Sequence, residues 1–340
     1  MTAYTTLRER LAREPSTWLV TGAAGFIGSH ICQTLLEHDQ RVVGYDDLST
    51  GYRRNVDDVR GRVGAERAER FEFVEADIRD AAALERAAGG ARYLVHQAAI
   101  ASVPRSIENP ALSHSANVDG FFTVLEVARS VGVESVVYAS SSSVYGDHPK
   151  LPKREDEVGQ VLSPYAATKR CNETYAEAWA QAYGMKVRGL RYFNVFGPRQ
   201  DPEGAYAAVI PRWIATMAAG EQPTIFGDGE TSRDFCPVAN AVQANLLAAT
   251  VPESAGMERV FNVALGGRTT LNELFVALRD SLARAGAPCE GLEVIHEDFR
   301  PGDIRHSNAD ISRVQERLGY APEVSFEAGL ATTVEWFLRE

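Results

Sequence analysis

The sequence predicts an α/β fold: a doubly wound parallel sheet with helices on both faces, joined to a smaller α/β lobe. Three observations carry this. Short runs rich in strand formers recur between residues 18 and 191, with helical stretches between them. A glycine-rich turn, GAAGFIG at 22–28, links the first strand to the helix after it. Beyond about residue 195 the texture changes to longer loops with Gly/Pro punctuation.

The opening stretch, MTAYTTLRERLAREP, is patterned as a short amphipathic helix ended before Pro15. A strand follows at 18–21, the glycine turn, an apolar-periodic helix at 26–37, and a second strand at 41–45 that ends in Asp46 and Asp47. This is the strand, glycine turn, helix, strand and acid order of a dinucleotide site. Gly22 permits the tight turn, Gly25 lets backbone approach a pyrophosphate, and Gly28 lets the helix sit close to the sheet. The helix N-terminus then offers N–H groups to the phosphates. Asp46 is placed to accept from the adenosine ribose hydroxyls and to repel a 2′-phosphate, which favours NAD. Arg53 and Arg54 nearby weaken that preference over NADP without reversing it.

Further strands are expected at 71–75, 93–96, 135–140 and 186–191. Ligands of such a sheet sit beyond the carboxyl ends of its strands. EADIRD places Asp77 and Ile78 after the third strand, where they flank an adenine; HQAAIAS at 96–102 lines the nicotinamide half. ASSSSVYGD (139–147) and RYFNVFG (191–197) follow the fifth and sixth strands. Helical patterns near 205–219, 238–249, 272–285 and 326–338, with short strands between, read as a second lobe over the mouth of the sheet. The division expected is 1–195 for the dinucleotide domain and 196–340 for the substrate lobe, with some crossing of the chain between them.

Composition bounds the function. The chain has 340 residues, 45% hydrophobic and 24% charged, with a formal charge of −11. That balance supports a sizeable core and disfavours nonspecific binding to nucleic acid or an anionic membrane. No apolar run approaches a membrane span, and the start lacks a signal peptide's apolar stretch, so a cytoplasmic protein is expected. Cys32, Cys171, Cys236 and Cys289 are scattered, which points to buried reduced thiols and to no metal site.

SPYAATK, residues 163–169, poses a chemical question. Ser163 suits an N-cap and Pro164 the first helical turn, so Tyr165 and Lys169 fall on one helix face. A cation beside a phenol favours the phenolate, and the pair could act as a base; a solvated helix face has the same spacing.

GAAGFIG, SSSSVYG, SPYAATK and RYFNVFG, in this order, resemble an extended short-chain dehydrogenase/reductase, which implies a Rossmann-type fold. ASVPRS (101–106), FGPRQDPEGAYAAVIP (196–211), GDGETSRDF (227–235) and RPGDIRHS (300–307) narrow the resemblance to bacterial UDP-N-acetylhexosamine 4-epimerases, related to the UDP-galactose 4-epimerases. The resemblance implies Tyr165 as proton acceptor, Lys169 as holder of the nicotinamide ribose and stabiliser of the phenolate, and Ser141 as the serine that bonds the sugar 4-oxygen. It implies an NAD site built from Gly22, Gly25, Phe26, Ile27, Gly28, Asp46, Asp47, Leu48, Ser49, Gly51, Asp77, Ile78, Gln97, Ala98, Ala99, Asn117, Tyr165, Lys169, Tyr192 and Phe193. For the UDP-sugar it implies Arg233 and Arg300 on the diphosphate, Phe226 at the uridine and Asn194 at the sugar–phosphate junction. Ser102, Gln200, Ala208 and Ser307 would form the wall beside the sugar, with Ser142, Ser143, Val209 and Asp303 completing the site.

Related dehydratases carry an Asp–Glu pair where Ser142 and Ser143 stand, and related decarboxylases a glutamate at the second position, so neither chemistry has its acid and base here. The resemblance implies an NAD-dependent 4-epimerase of UDP-N-acetylglucosamine, with UDP-N-acetylglucosaminuronate or plain UDP-hexoses as alternatives. A regulator that binds NAD without chemistry is the alternative of another class, disfavoured by the Tyr–Lys pair. A homodimer is expected through helices at 110–129 and 164–183, as relatives pair.

Overall fold

The computed structural model describes residues 2–203, 208–252, 258–299 and 304–339. Its centre is a seven-stranded sheet of β1 (Thr17–Thr21), β2 (Arg41–Asp46), β3 (Phe71–Glu75), β4 (Tyr93–His96), β5 (Ser135–Ser141), β6 (Lys186–Tyr192) and β7 (Val260–Val263). All neighbours pair in parallel, in the order β7-β6-β5-β4-β1-β2-β3. The order reverses between β1 and β4, and that switch opens a crevice at the carboxyl ends of the strands. Trp18, Leu19 and Val20 on β1 are wholly buried, as a strand covered on both faces requires.

The two faces of the sheet carry separate apolar layers. One joins Val20, Val95 and Val137 to α1 (Ala3–Arg13), α2 (Phe26–Glu37), the helix Arg53–Val63 and the helix Val238–Thr250. The other joins Leu19, Leu94 and Val136 to the helices Ala81–Ala88, Gly120–Ser130 and Pro164–Tyr183. The N-terminal helix seats Tyr4, Leu7 and Leu11 on the first layer, and Thr2 caps it by accepting from Thr5 N at 3.1 Å. A third cluster gathers the helices Val209–Ala218, Leu271–Arg284 and Phe326–Phe337 around Trp213, Phe235 and Leu278.

Three features depart from the sequence expectation. The chain returns to the sheet: β7 and the buried helix Val238–Thr250 come from beyond residue 195, so the central domain draws on both parts. The stretch expected as one helix at 110–129 is broken into Pro110–His114, a π-helical turn at Ser115–Asp119 and Gly120–Ser130. Cys171 is exposed, on the outer face of the helix Pro164–Tyr183, while the other three cysteines are buried. The helical pattern at 205–219 appears as Val209–Ala218, and residues 205–207 lie outside the described residues. Among the described residues no helix is long and apolar enough to cross a membrane. Nor do three or more His, Cys, Asp or Glu side chains among them converge on a metal position.

Candidate active site

The glycine turn is held from below. Gly22 has φ +71°, and a Cβ there would lie 2.6 Å from Ala98 N. A Cβ on Gly28 would lie 2.0 Å from Gly22 O, so α2 reaches the sheet only because that position is bare. Gly25 caps α2 with no side-chain acceptor, which leaves the first amides of the helix beside Phe26 and Ile27 for an anion. Asp46 accepts from Ala24 N at 3.0 Å and from Leu48 N at 2.8 Å. Its carboxylate ties the turn to the loop after β2, with lone pairs remaining for a ribose. Asp47 holds Ser49 N at 2.9 Å, and Gly51 packs on Ala24. Asp77 is engaged by Arg79, whose hydrogen bonds hold its carboxyl below the usual range, and Ile78 is buried under Gly120.

The expected nicotinamide end is a polar lattice. Gln97, Tyr192 and Asn245 form a closed set: Tyr192 OH donates to Gln97 Oε1 at 3.1 Å, and Asn245 Nδ2 donates to Tyr192 OH at 2.7 Å. Gln97 Nε2 completes it on Asn245 Oδ1 at 3.1 Å. Ala98 N reaches Thr21 Oγ1 at 3.4 Å, and Ala99 lies between it and the pinned Ile100. Asn117, within the π-helical turn, accepts from Ile100 N at 2.7 Å and donates to Ile100 O at 3.1 Å, so its amide fixes the loop after β4. Phe193 is wholly buried against Tyr145, which leaves only its backbone to face a ligand.

Ser163 caps the next helix by accepting from Ala166 N at 3.1 Å, and Pro164 opens it. Tyr165 and Lys169 share one face, with Lys169 Nζ 5.8 Å from the centre of the Tyr165 ring. Lys169 is 2% exposed and donates to Ala139 O at 2.9 Å. Burial pulls its pKa down to about 8. Burial pushes the Tyr165 phenol above its ordinary value, and a hydrogen bond with Ser141 offsets this only in part. The polypeptide by itself therefore does not make a phenolate, in contrast to the simple expectation from a neighbouring cation. Ser141 also accepts from Ser143 N at 3.1 Å, while Ser143 Oγ is buried with no partner among the described residues. Ser141 ends β5 and caps the short 3₁₀ turn that Ser142 opens and that carries Ser143.

On the far side of the mouth, Asp234 is the hub. Its carboxylate accepts from Leu265 N and Gly266 N at 3.0 Å and from Ala309 N at 3.3 Å, although burial pushes its pKa up to about 6. Asn194 Nδ2 donates to Asp234 O at 3.4 Å. Arg233, next in the chain, donates to Ser232 O and Arg305 O, and Ser307 N donates to Ser232 O at 3.1 Å. Arg233, Asn194 and Ser307 thus lie on one knot of backbone. Gln200 bonds Val195 O and leaves Oε1 buried without a partner among the described residues. Ala208 is the exposed residue before the helix that Val209 opens, and Phe226 ends the strand Thr224–Phe226. Arg300 and Asp303 lie outside the described residues. Leu48, Ser102, Asn194 and Arg199 take positive φ without being glycine, all in carboxyl-end loops, where backbone strain commonly marks function.

Residues 18–264 match the NAD dependent epimerase/dehydratase family. The chain belongs to that family. It is 40% identical over 324 residues to a UDP-glucose 4-epimerase of Mycolicibacterium smegmatis, across 94% of this chain and 97% of that one. Among solved structures it is similar to the UDP-N-acetylglucosamine 4-epimerase from Methanobrevibacter ruminantium in complex with UDP-N-acetylmuramic acid, at 39% identity and a TM-score of 0.87, over 96% of this chain and 99% of that one. It is also similar to the Thermus thermophilus UDP-glucose 4-epimerase complex with NAD, at 34% identity and a TM-score of 0.80, over 95% and 99% of the two chains. This member of the family is an NAD-dependent UDP-sugar 4-epimerase. The bare turn, the uncapped start of α2 and the free lone pairs of Asp46 fit that cofactor.

Sequence inspection missed Asp234, Asn245, Ser106 and the Glu173–Arg191 pair. Ser106 is wholly buried and accepts from Tyr165 N at 3.0 Å. Glu173 alone carried a sequence signal, since it continues the helix face of Tyr165 and Lys169.

Proposed function

We propose that this chain interconverts UDP-N-acetylglucosamine and UDP-N-acetylgalactosamine. The observation that carries this is the small Ser307 side chain on the same knot as Arg233, where a C2 acetamido group needs room in both orientations of the sugar ring. The N-acetylglucosamine epimerase among the solved relatives supports it. Bound NAD would supply the redox chemistry, accepting a hydride from sugar C4 and giving it back on the opposite face. Tyr165 takes the proton of the 4-hydroxyl, and Ser141, bonded to that phenol, relays it and holds the 4-oxygen. Lys169 holds the nicotinamide ribose. Lowering a phenol pKa from ~10 to ~7 takes ~4 kcal/mol, and burial of Tyr165 adds to that; the Lys169 ammonium and, with NAD bound, the cationic nicotinamide ring would together supply it. Arg233 and Arg300 keep the diphosphate in place while the 4-keto sugar turns over, so binding energy far from C4 leaves the reacting ring free.

The same proposal assigns most of 196–340 to a UDP-sugar lobe and places the protein in the cytoplasm as a homodimer. Phe122, Tyr175, Trp179 and Tyr183 stack edge to face along the outer sides of the helices Gly120–Ser130 and Pro164–Tyr183, a surface suited to a second copy. A panel of UDP-sugars with chromatographic separation of epimers tests the substrate. Ser307→Tyr should lower kcat/KM for the acetylated sugar by ~10–100-fold and leave UDP-glucose measurable. Equal loss on both sugars removes Ser307 from the wall. A second reading, plain UDP-hexoses, is favoured by the Mycolicibacterium relative; faster turnover of UDP-glucose than of the acetylated sugar by the parent enzyme would establish it.

A further inference from the structure

The segment 196–201, which leaves the sheet toward the substrate side, is bound to the dinucleotide side by four separate contacts. A Cβ on Gly197 would lie 3.5 Å from Phe26 Cε2, so the backbone there runs against the first residue of α2. His30 Nε2, one turn along α2, donates to Pro198 O at 2.9 Å; burial keeps that imidazole neutral, with its pKa pushed down to about 3. Arg199 enters the joint between α2 and the helix Arg53–Val63, donating to Asp58 at 2.7 Å and to Gln33. It is 5% exposed and adopts φ +63° to get there. Tyr52 OH then donates to Asp201. Tyr52 is itself tied to the glycine turn, since its N–H donates to Ala24 O at 3.0 Å.

A buried guanidinium held on a non-glycine left-handed backbone is costly unless its partners over-determine it. Here the partners are the two helices whose N-terminal ends border the glycine turn. Asp58 is also held by Arg62 at 2.8 Å, so the acceptor is set before Arg199 arrives. Gln33 and Asp58 sit on different helices, and one planar fork spans both. Nothing in the proton and hydride chemistry uses this bracket.

We propose that Arg199 is a positioning residue for NAD retention: it clamps α2 and the loop at 46–52 against the substrate-side segment and so slows release of the dinucleotide. The proposal does not depend on which UDP-sugar is turned over. It also makes the two ligands' sites mechanically continuous, because the segment that carries Gln200 is the one that closes the bracket.

The test is dinucleotide content and affinity, not turnover. Arg199→Ala should emerge from gel filtration with less than about half the bound NAD of the parent and weaken NAD+ affinity by about tenfold or more, while UDP affinity at saturating NAD+ stays within about twofold. Arg199→Lys should be intermediate, because an ammonium cannot span Asp58 and Gln33 at once. NAD+ affinity within about twofold of the parent in Arg199→Ala, or equal weakening of UDP and NAD+, would overturn the assignment. Should Arg199→Ala not fold, Tyr52→Phe decides: it removes one exposed hydroxyl and should speed NAD release by about threefold at an unchanged melting temperature, whereas an unchanged release rate would overturn the proposal.

Discussion

Two successive stretches of one helix handle buried charge in opposite ways. Near the start of Pro164–Tyr183, Tyr165 and Lys169 have no counter-ion among the described residues: burial pushes the phenol up and pulls the ammonium down, so each is driven toward its neutral form. One turn further, Glu173 is just as enclosed, yet it is fully paired. Arg191 meets both its oxygens at 2.8 Å, and Ser140 donates to it at 2.7 Å. Burial pushes Glu173 up, but these bonds outweigh it and hold the carboxyl below its ordinary value. The protein completes one of these groups by itself and not the others. Glu173 is satisfied and locks the helix to β5 and β6; Tyr165 and Lys169 are left poised for a ligand to complete.

The largest expected effect breaks the poised end. Tyr165→Phe should lower turnover by ~10²–10⁴-fold with NAD still bound, measured as epimer formed per bound cofactor. A variant that retained more than about a tenth of the parent rate would place the proton acceptor elsewhere. Breaking the paired end should cost stability instead. Glu173→Ala leaves the buried Arg191 without its carboxylate partner, and urea denaturation should report a loss of ~3–5 kcal/mol. A loss under ~1 kcal/mol would mean that the pair does not lock the helix.

The folded Lys169 has a pKa of about 8 against 10.5 in an unfolded chain. Between those values the unfolded state binds more protons, so stability rises with pH through that window, and below it the buried ammonium is a standing penalty. Lys169→Met should therefore be more stable than the parent at pH 7, by ~1–3 kcal/mol, while losing activity. The gain should fade as the pH rises past about 10. Thermal melts at pH 7 and pH 10 measure it, and a destabilised variant at pH 7 would show that Lys169 is paired after all.

Much of the frame was legible in the residues. The first six strands and the glycine turn follow from local pattern, since a strand buried on both faces and a turn that forbids side chains both write themselves into short stretches. The start of the helix Pro164–Tyr183 was legible for the same reason, in its cap and proline. What stayed hidden depends on distant partners. VFNV at 260–263 is too short to be told from loop strands until β6 is seen beside it. Asp234 reads as one more acid in a polar loop, and only the backbone amides from 265, 266 and 309 make it a hub. The break at Ser115–Asp119 is equally non-local, because Asn117 reaches back to Ile100.

The position of β7 at the end of the sheet also bears on how the chain is made. β6 is complete at residue 192, but the strand that covers its outer edge ends at residue 263. A ribosome adding ~5–20 residues per second therefore leaves that edge uncovered for several seconds or more. The strand that covers the β6 edge comes only after the helix Val238–Thr250. During that interval the nascent protein presents unpaired N–H and C=O groups, a template for wrong pairing. A nascent chain stalled with β6 clear of the exit tunnel and 260–263 still inside it should engage holding chaperones, and one stalled far enough beyond 263 for that strand to clear the tunnel should not.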